Sequence, residues 1–274
     1  MTELERSIIA KVRVAPGERV RLTERDTRDS SLFGGEKDTK AATAALAKDI
    51  DALQDRLYAE GSRALLVILQ GTDTSGKDGT IRTVFNATGP LGVTVTPFGV
   101  PTRTELAHDY LWRVHAACPR RGTIGIFNRS HYESVLVEKV RNLSPPDIVE
   151  QRYDQINAFE KHLVENGTTI LKFMLHISKD EQKERLQERL DDPQKHWKFN
   201  PGDLEDRIYW DAYQDAYETM LERCSTHHAP WHVIPADRKW VRNAAIATIV
   251  KATLEDMNPQ YPKVQWQPDE FTIS

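Results

Sequence analysis

ALLVILQGTDTSGKDGTIRTVF, Ala64–Phe85, is the stretch whose reading decides the fold. Ala64–Leu69 is an unbroken apolar run, the pattern of a strand covered on both faces in a parallel sheet. It ends in Gly71-Thr72-Asp73-Thr74-Ser75-Gly76-Lys77-Asp78-Gly79, and apolar residues at helical spacing resume with Ile81, Val84 and Phe85. Strand, glycine-rich turn and helix in this order are the context of a phosphate-binding loop. Gly71 and Gly76 open backbone angles closed to other residues, so consecutive N–H groups can converge on phosphate oxygens. The dipole of the following helix acts at the same place. Lys77 adds a full charge there. Gly71, Thr74, Ser75, Gly76, Asp78 and Gly79 are therefore the expected phosphate- and nucleotide-binding segment.

Two carboxylates set this loop apart. Asp78 stands where a Ser or Thr hydroxyl usually ligates magnesium, and it could bind metal or cap the helix. Asp73 would repel phosphate unless a cation lies between them, so it is expected to hold a metal or a metal-bound water.

Working outward, 274 residues can build one large core or a core with appendages. Hydrophobic content of 39% and charged content of 28% are those of a soluble globular chain. No apolar run approaches a membrane span, and the N-terminal MTELERSIIAKVRV lacks the apolar centre of a signal peptide, so a cytoplasmic location and no membrane partner are expected. Cys118 and Cys224 read as reduced thiols. A net charge of −4 argues against a general nucleic-acid binder but leaves room for a local basic channel.

Residues 1–36 show little periodicity and are expected to form an extended N-terminal arm. A helix is predicted over Asp38–Tyr58 (Leu46, Ile50, Leu53, Leu57), stopped by Gly61. Further strands are predicted at Val93–Phe98, Thr123–Phe127, Thr169–Ile177 and Trp231–Ile234. Helices are predicted at Thr104–Ala117, Tyr132–Val140, Asp147–Asn166, Ser178-capped to Leu190, Leu204–Cys224 and Lys239–Met257. Between two of these, Asp191–Asp203 is basic and aromatic and bears Pro and Gly, which suggests a mobile lid at about 191–207. Strands alternating with helices predict an α/β architecture: a three-layer P-loop kinase fold over 37–258, with a central parallel sheet, a helical lid and a surface tail at 259–274.

A second constellation follows TIGIF: Asn128-Arg129-Ser130-His131-Tyr132-Glu133. The strand beside a phosphate loop commonly ends in an acidic metal ligand. Asn128 replaces it poorly, and Glu133 would restore the carboxylate if the next turn folds back. Arg129 between them could clamp phosphate oxygens, or form a plain helix-start ion pair with Glu133. Lys183, Arg185, Arg189, Lys195, Lys198 and Arg207 mark a basic track toward and across the lid, although Glu181, Glu184 and Glu188 could equally pair with its first members. Trp197 and Phe199 could stack on a base or simply pack. Cys224, His227, His228 and His232 fit no standard zinc spacing, and Trp210, Tyr213, Tyr217 and Met220 read as core. Asp237 and Lys239 suit a nucleotide contact or a simple turn.

GTDTSGKDGTI, FNRSHYESVLVEKV, DDPQKHWKFNPGDLEDRIYWDAYQDAYETM and APWHVIPADRKW together resemble the polyphosphate kinase type 2 family, from about Asp38 to Asn258. Its loop, G-x-D-x-x-G-K-[DG]-G, accommodates Asp78, and Asp73 and Lys77 match its key positions. Much of the family reads DRSWYN in the second motif; Asn128 and Glu133 look exchanged relative to that form, which resembles the subgroup called class III. The resemblance implies reversible transfer of a terminal phosphoryl group from inorganic polyphosphate to AMP and ADP. It implies Asp73, Lys77, Arg129 and Glu133 as the catalytic set, with Asp73 and Glu133 on magnesium (or manganese). It also implies adenine or guanine nucleotides as partners and a homo-oligomer. The acceptor oxygen belongs to a phosphate already mostly ionised at neutral pH, its second pKa being near ~6, so no catalytic base is required. An ATP-dependent nucleotide kinase or a non-catalytic P-loop sensor are the rival readings.

Overall fold

The computed structural model describes residues 1–267 and 270–273. In chain order the elements are α1 (Glu3–Val12), α2 (Glu36–Glu60), β1 (Ala64–Gln70), α3 (Lys77–Val84), β2 (Val93–Pro97), α4 (Arg103–Leu106), α5 (Trp112–Ala116), β3 (Ile124–Asn128) and α6 (Val137–Val140). They continue with α7 (Pro146–Glu165), β4 (Thr168–His176), α8 (Lys179–Asp191), α9 (Pro201–Ile208), α10 (Trp210–Cys224), β5 (Trp231–Pro235) and α11 (Lys239–Met257). The five strands form one sheet in the order β2-β3-β1-β4-β5, every neighbouring pair parallel. Parallel strands need covered crossovers, and helices lie on both faces.

β1 is buried along its whole length. Its alternate residues feed two cores: Leu65, Val67 and Leu69 pack with α2 and α11, while Leu66 and Ile68 pack with α7 and α10. α2 ends as expected at Gly61, whose φ of 66° is a left-handed stop that suits glycine. α11 is buried nearly all round, the mark of a helix held between sheet and outer helices. Among the described residues no helix is long and apolar enough to cross a membrane.

Four expectations need correction. The N-terminal region is not simply extended: α1 stands there, opened by a reciprocal capping box between Thr2 and Glu5, with Ile8 and Val12 buried on the α11 side. Its apolar stripe is short and set among charges, which hid the period. The helix expected at Thr104–Ala117 is two short pieces, capped by Thr102 and interrupted where the Asp109 carboxylate turns the chain by accepting from Leu111 N. Tyr132–Val140 is likewise a 3-10 turn, His131–Ser134, followed by α6. The helix expected at Leu204–Cys224 breaks between Ile208 and Trp210 into α9 and α10. Within the expected lid, Asp192 caps a 3-10 turn at Pro193–Lys198, and Asn200 caps α9 with Pro201 at its first position. The tail is exposed over 260–267; Pro268, Asp269 and Ser274 of that expectation lie outside the described residues.

Candidate active site

The loop between β1 and α3 takes the backbone shape the glycines allow: φ is 152° at Gly71 and 100° at Gly76, and Thr74 also lies in the left-handed region at 64°. Its carbonyls are held one after another. Lys77 Nζ donates to Gly71 O (2.8 Å) and Thr72 O (3.2 Å). Gln182 Nε2 donates to Asp73 O (3.3 Å), Arg185 Nη1 to Thr74 O (2.8 Å) and Arg242 Nη1 to Ser75 O (3.2 Å). The first amides of α3 have no partners within the helix and carry its positive dipole end. Burial, with Arg129 close by, lowers Lys77 to about 8.

β3 delivers the second motif to the same place. Leu69 pairs with Asn128, and Arg129 N donates to Leu69 O at 3.0 Å. Arg129 then turns with φ 61°, and the 3-10 turn that follows brings Glu133 back. The Arg129 guanidinium bridges both carboxylates: Nη2 to Asp73 Oδ1 at 2.5 Å and Nη1 to Glu133 Oε2 at 3.1 Å. These neighbours raise its already high pKa. Glu133 thus pairs with Arg129, as the plain reading had it, and Asp73 joins the pair from 56 residues away.

Asp78 does not cap α3: the N-cap is Gly76, with no side-chain cap. Its carboxylate instead accepts from Asn128 Nδ2 at 2.7 Å, tying the loop to the second motif. With Gly76 at the N-cap, Asp78 is the second residue of the helix and not the capping position.

Asp73 and Arg129 stand at the junction of two clefts. One, of about 350 Å³, is basic and runs from Lys77 past Arg189 to Lys195, Lys198 and Lys239. The other is walled by Leu136, Val137, Trp210, Tyr213 and Tyr217, with Glu133 and Asp206 at its polar end. The three aromatic residues, expected as core, are packed against the body and also form this wall. Their helical stripe was visible in the sequence, but not that its end opens beside Glu133.

The basic track separates into two kinds of residue. Arg185 is buried and engaged with Glu181, Thr74 O, Ala236 O and Asp237 O, so it braces the loop while also lining the basic cleft. Arg207 ties α9 to the start of α8 through Lys179 O (2.6 Å) and Gln182 Oε1 (2.9 Å) and lines neither cleft. Arg189 lines the basic cleft while holding Lys198 O and Asp203. Burial and the nearby Asp73 charge push Asp203 up to about 6. Asp237 is a brace, accepting from Ser178 N and Thr27 Oγ1.

Among the described residues no three His, Cys, Asp or Glu side chains converge as a ready metal cage. Asp73 and Glu133 nevertheless share one guanidinium, so two hard oxygen donors face a common point. That donor set fits a small divalent cation, which commonly takes one or two carboxylates and completes its shell with phosphate and water oxygens.

The family model described as Polyphosphate kinase 2 matches residues 35–262. The AMP/ADP-polyphosphate phosphotransferase of Meiothermus ruber is 53% identical over 264 residues, covering 96% of this chain and 99% of that protein. The ADP-polyphosphate phosphotransferase of Rhodopseudomonas palustris is 39% identical over 267 residues, covering 92% of this chain and 91% of that one. The crystal structure of polyphosphate kinase 2 from Arthrobacter aurescens TC1 superposes with a TM-score of 0.92 at 42% identity, over 96% of this chain and 94% of that chain.

Proposed function

This chain belongs to the polyphosphate kinase 2 family, and from that premise we propose that it moves the terminal phosphoryl group of inorganic polyphosphate reversibly to AMP and ADP. The observation that carries the proposal is the meeting of the two clefts at Asp73 and Arg129. A phosphate chain suits the basic cleft; the aromatic one encloses only about 30 Å³ and would take a nucleoside once its walls part, so that donor and acceptor phosphates meet where the carboxylates and the guanidinium stand. A mononucleotide alone gives no use for cations that continue to Lys195 and Lys198.

The acceptor oxygen is already ionised, so the protein's task is to align anions and neutralise them. Loop amides and Lys77 hold the phosphates at the transferred group. To do so, Lys77 leaves Gly71 O and Thr72 O for phosphate oxygens, exchanging neutral acceptors for charged ones. Arg129 offers a planar fork for the equatorial oxygens. Asp73 and Glu133 would hold magnesium, which when bound supplies charge neutralisation between adjacent phosphates. Asp73 and Glu133, which now accept from Arg129, are the residues that would hold the metal, and Arg129 would then have its fork free for substrate. Trp210, Tyr213 and Tyr217 exclude water from the acceptor side and offer ring faces for an adenine or guanine base. Family membership extends the reading to a homo-oligomer, which sedimentation would test.

The deciding experiment mixes purified protein, magnesium, long-chain polyphosphate and AMP without ATP, and follows products. ADP followed by ATP is the expected result. ADP alone would remove the second acceptor from the proposal. Transfer only when ATP replaces polyphosphate would overturn it in favour of an ordinary nucleotide kinase.

A further inference from the structure

Arg242, in the first turn of α11, is 2% exposed, yet among the described residues it has no carboxylate within salt-bridge reach. Its Nε and Nη2 donate to Asn243 Oδ1 at 3.1 and 3.0 Å, and its Nη1 to Ser75 O at 3.2 Å. All these acceptors are neutral. Burial, with the cation Arg185 in the same region, pushes Arg242 down to about 9. Arg185 differs in having Glu181 at 2.8 Å.

The guanidinium packs against the phosphate loop at Ser75, Gly76 and Gly79. A Cβ at Gly76 would collide with Arg242 Nη1, and one at Gly79 would come to 3.2 Å from Nη2. Both glycines line the basic cleft on their other side. Only backbone therefore separates this buried cation from the space where phosphates would bind. Taking a guanidinium out of water without a counter-ion is costly, and an apolar side chain of the same size would fill the space without that cost.

We infer that Arg242 is a positioning residue whose missing counter-ion is the bound phosphate chain: it holds Ser75 O so that the loop amides face the cleft, and it leaves behind the loop a buried positive charge that substrate phosphates neutralise. The inference deepens the phosphate-binding reading of the loop and rests on it. It gives Gly76 a second reason, beside its backbone angle, to lack a side chain, since a Cβ there would displace the guanidinium. It also makes the empty cradle less stable than the occupied one, because occupation relieves an unbalanced charge.

The test uses the full chain, sodium tripolyphosphate as the probe, low ionic strength and no divalent metal. Calorimetric affinity and the tripolyphosphate-induced rise in Tm are measured for wild type, Arg242→Gln, Arg242→Lys and Asn243→Asp. Arg242→Gln keeps a donor for Ser75 O and removes the charge. Asn243→Asp keeps Arg242 and gives it a carboxylate. Both are expected to weaken tripolyphosphate binding about tenfold or more and to shrink its Tm rise, while the unliganded Tm of Asn243→Asp increases. Arg242→Lys should keep most of the ligand-induced rise. A purely structural brace would instead leave the affinity of Asn243→Asp within about twofold of wild type, and that result would overturn the inference even if Arg242→Gln failed to fold. Wild type that binds no tripolyphosphate would overturn both the inference and the phosphate-binding reading, whereas wild-type binding with unchanged variants would overturn the inference alone.

Discussion

Two cation–carboxylate clusters flank the same short turn, His131–Ser134, and they are built on opposite plans. On one side Lys172 of β4 is fully buried and donates to Glu160 Oε2 (2.6 Å), Tyr132 OH (2.8 Å) and Cys224 O (2.7 Å). Glu160 also takes Tyr132 OH at 2.7 Å and lies 3.3 Å from His131 Nε2. An ammonium has three protons, and all three are placed. On the other side Arg129 bridges Asp73 and Glu133 with its side chain 34% exposed, in a site where each partner has an alternative. Ions that the protein satisfies completely hold the turn still. Ions that it satisfies with replaceable partners are available to substrate.

The largest expected effect comes from breaking the replaceable cluster. Lys77→Ala or Asp73→Ala should reduce transfer by about a thousandfold or more, the scale on which single charged groups act in phosphoryl transfer. Asp73 is part-exposed, and Lys77, though buried, donates only to groups of the loop and not to the core, so thermal stability should stay within a few degrees of wild type. Steady-state kinetics with a melting curve on the same samples checks both halves. Activity within a few fold of wild type would remove the assigned roles.

Breaking the sealed cluster should reverse the pattern. Lys172→Met leaves Glu160 buried without its cation, which costs on the order of 3–5 kcal/mol for a fully buried pair. Denaturant melts should show that loss, with chemistry per folded molecule falling less than in Lys77→Ala. Adding Glu160→Gln to Lys172→Met should recover part of it, since the stranded charge is then gone.

The two clusters were not equally legible. The loop could be read because strand, glycines, lysine and helix stand consecutively, so local geometry alone brings them to one point. Glu133 was accessible for the same reason, lying five residues after Asn128. Lys172 carried a signal that was not followed: a lysine inside the apolar run ILKFMLHI needs a buried partner. Arg242 carried none, because its contact with Ser75 O spans 167 residues and nothing near it in sequence marks a phosphate site. Arg185 belongs to the basic track, where it lines the cleft, and it also braces the loop through Thr74 O. Its charge and spacing were visible; the carbonyls it holds at 236 and 237 come from after β5. Fold elements were legible where one period ran long, as in α7, and misread where caps and turns cut the period, as at Asp109.

Acid should separate the clusters further. Burial pushes His131 below its ordinary value despite Glu160, and pushes His232, whose Nδ1 sits 3.1 Å from Lys172 O, to about 4. Above the unfolded value near ~6.5 these rings are neutral in both states and folding is unaffected. As pH falls below it, the unfolded chain takes up protons that the folded one refuses, until pH passes the folded value. Stability should therefore fall from pH 6.5 toward 4, by up to about 1.4 kcal/mol per pH unit for each such histidine. Melts at pH 7, 6 and 5 check the slope, and His232→Gln should flatten it. A flat profile would mean that these rings protonate without unfolding.

The smallest effect should come from the far end of the basic cleft, and it distinguishes a track for a chain from a site for one phosphate. Lys195 and Lys239 there have acidic neighbours, Asp192 at 3.2 Å and Glu188 at 3.8 Å. Lys198 stands over the Trp197 ring at 5.0 Å, and Trp197 is 74% exposed. A cation–π contact at such a site contributes only about 0.5–1 kcal/mol, so Lys198 is free to turn to phosphate at little cost. Lys198→Ala should raise KM for long polyphosphate a few fold, leave KM for tripolyphosphate unchanged and leave kcat unchanged for both. The effect should fade at high salt, because an exposed charge acts through a screened field. An equal change for short and long chains would place Lys198 at the transferred group instead, and the basic cleft would then end at the loop.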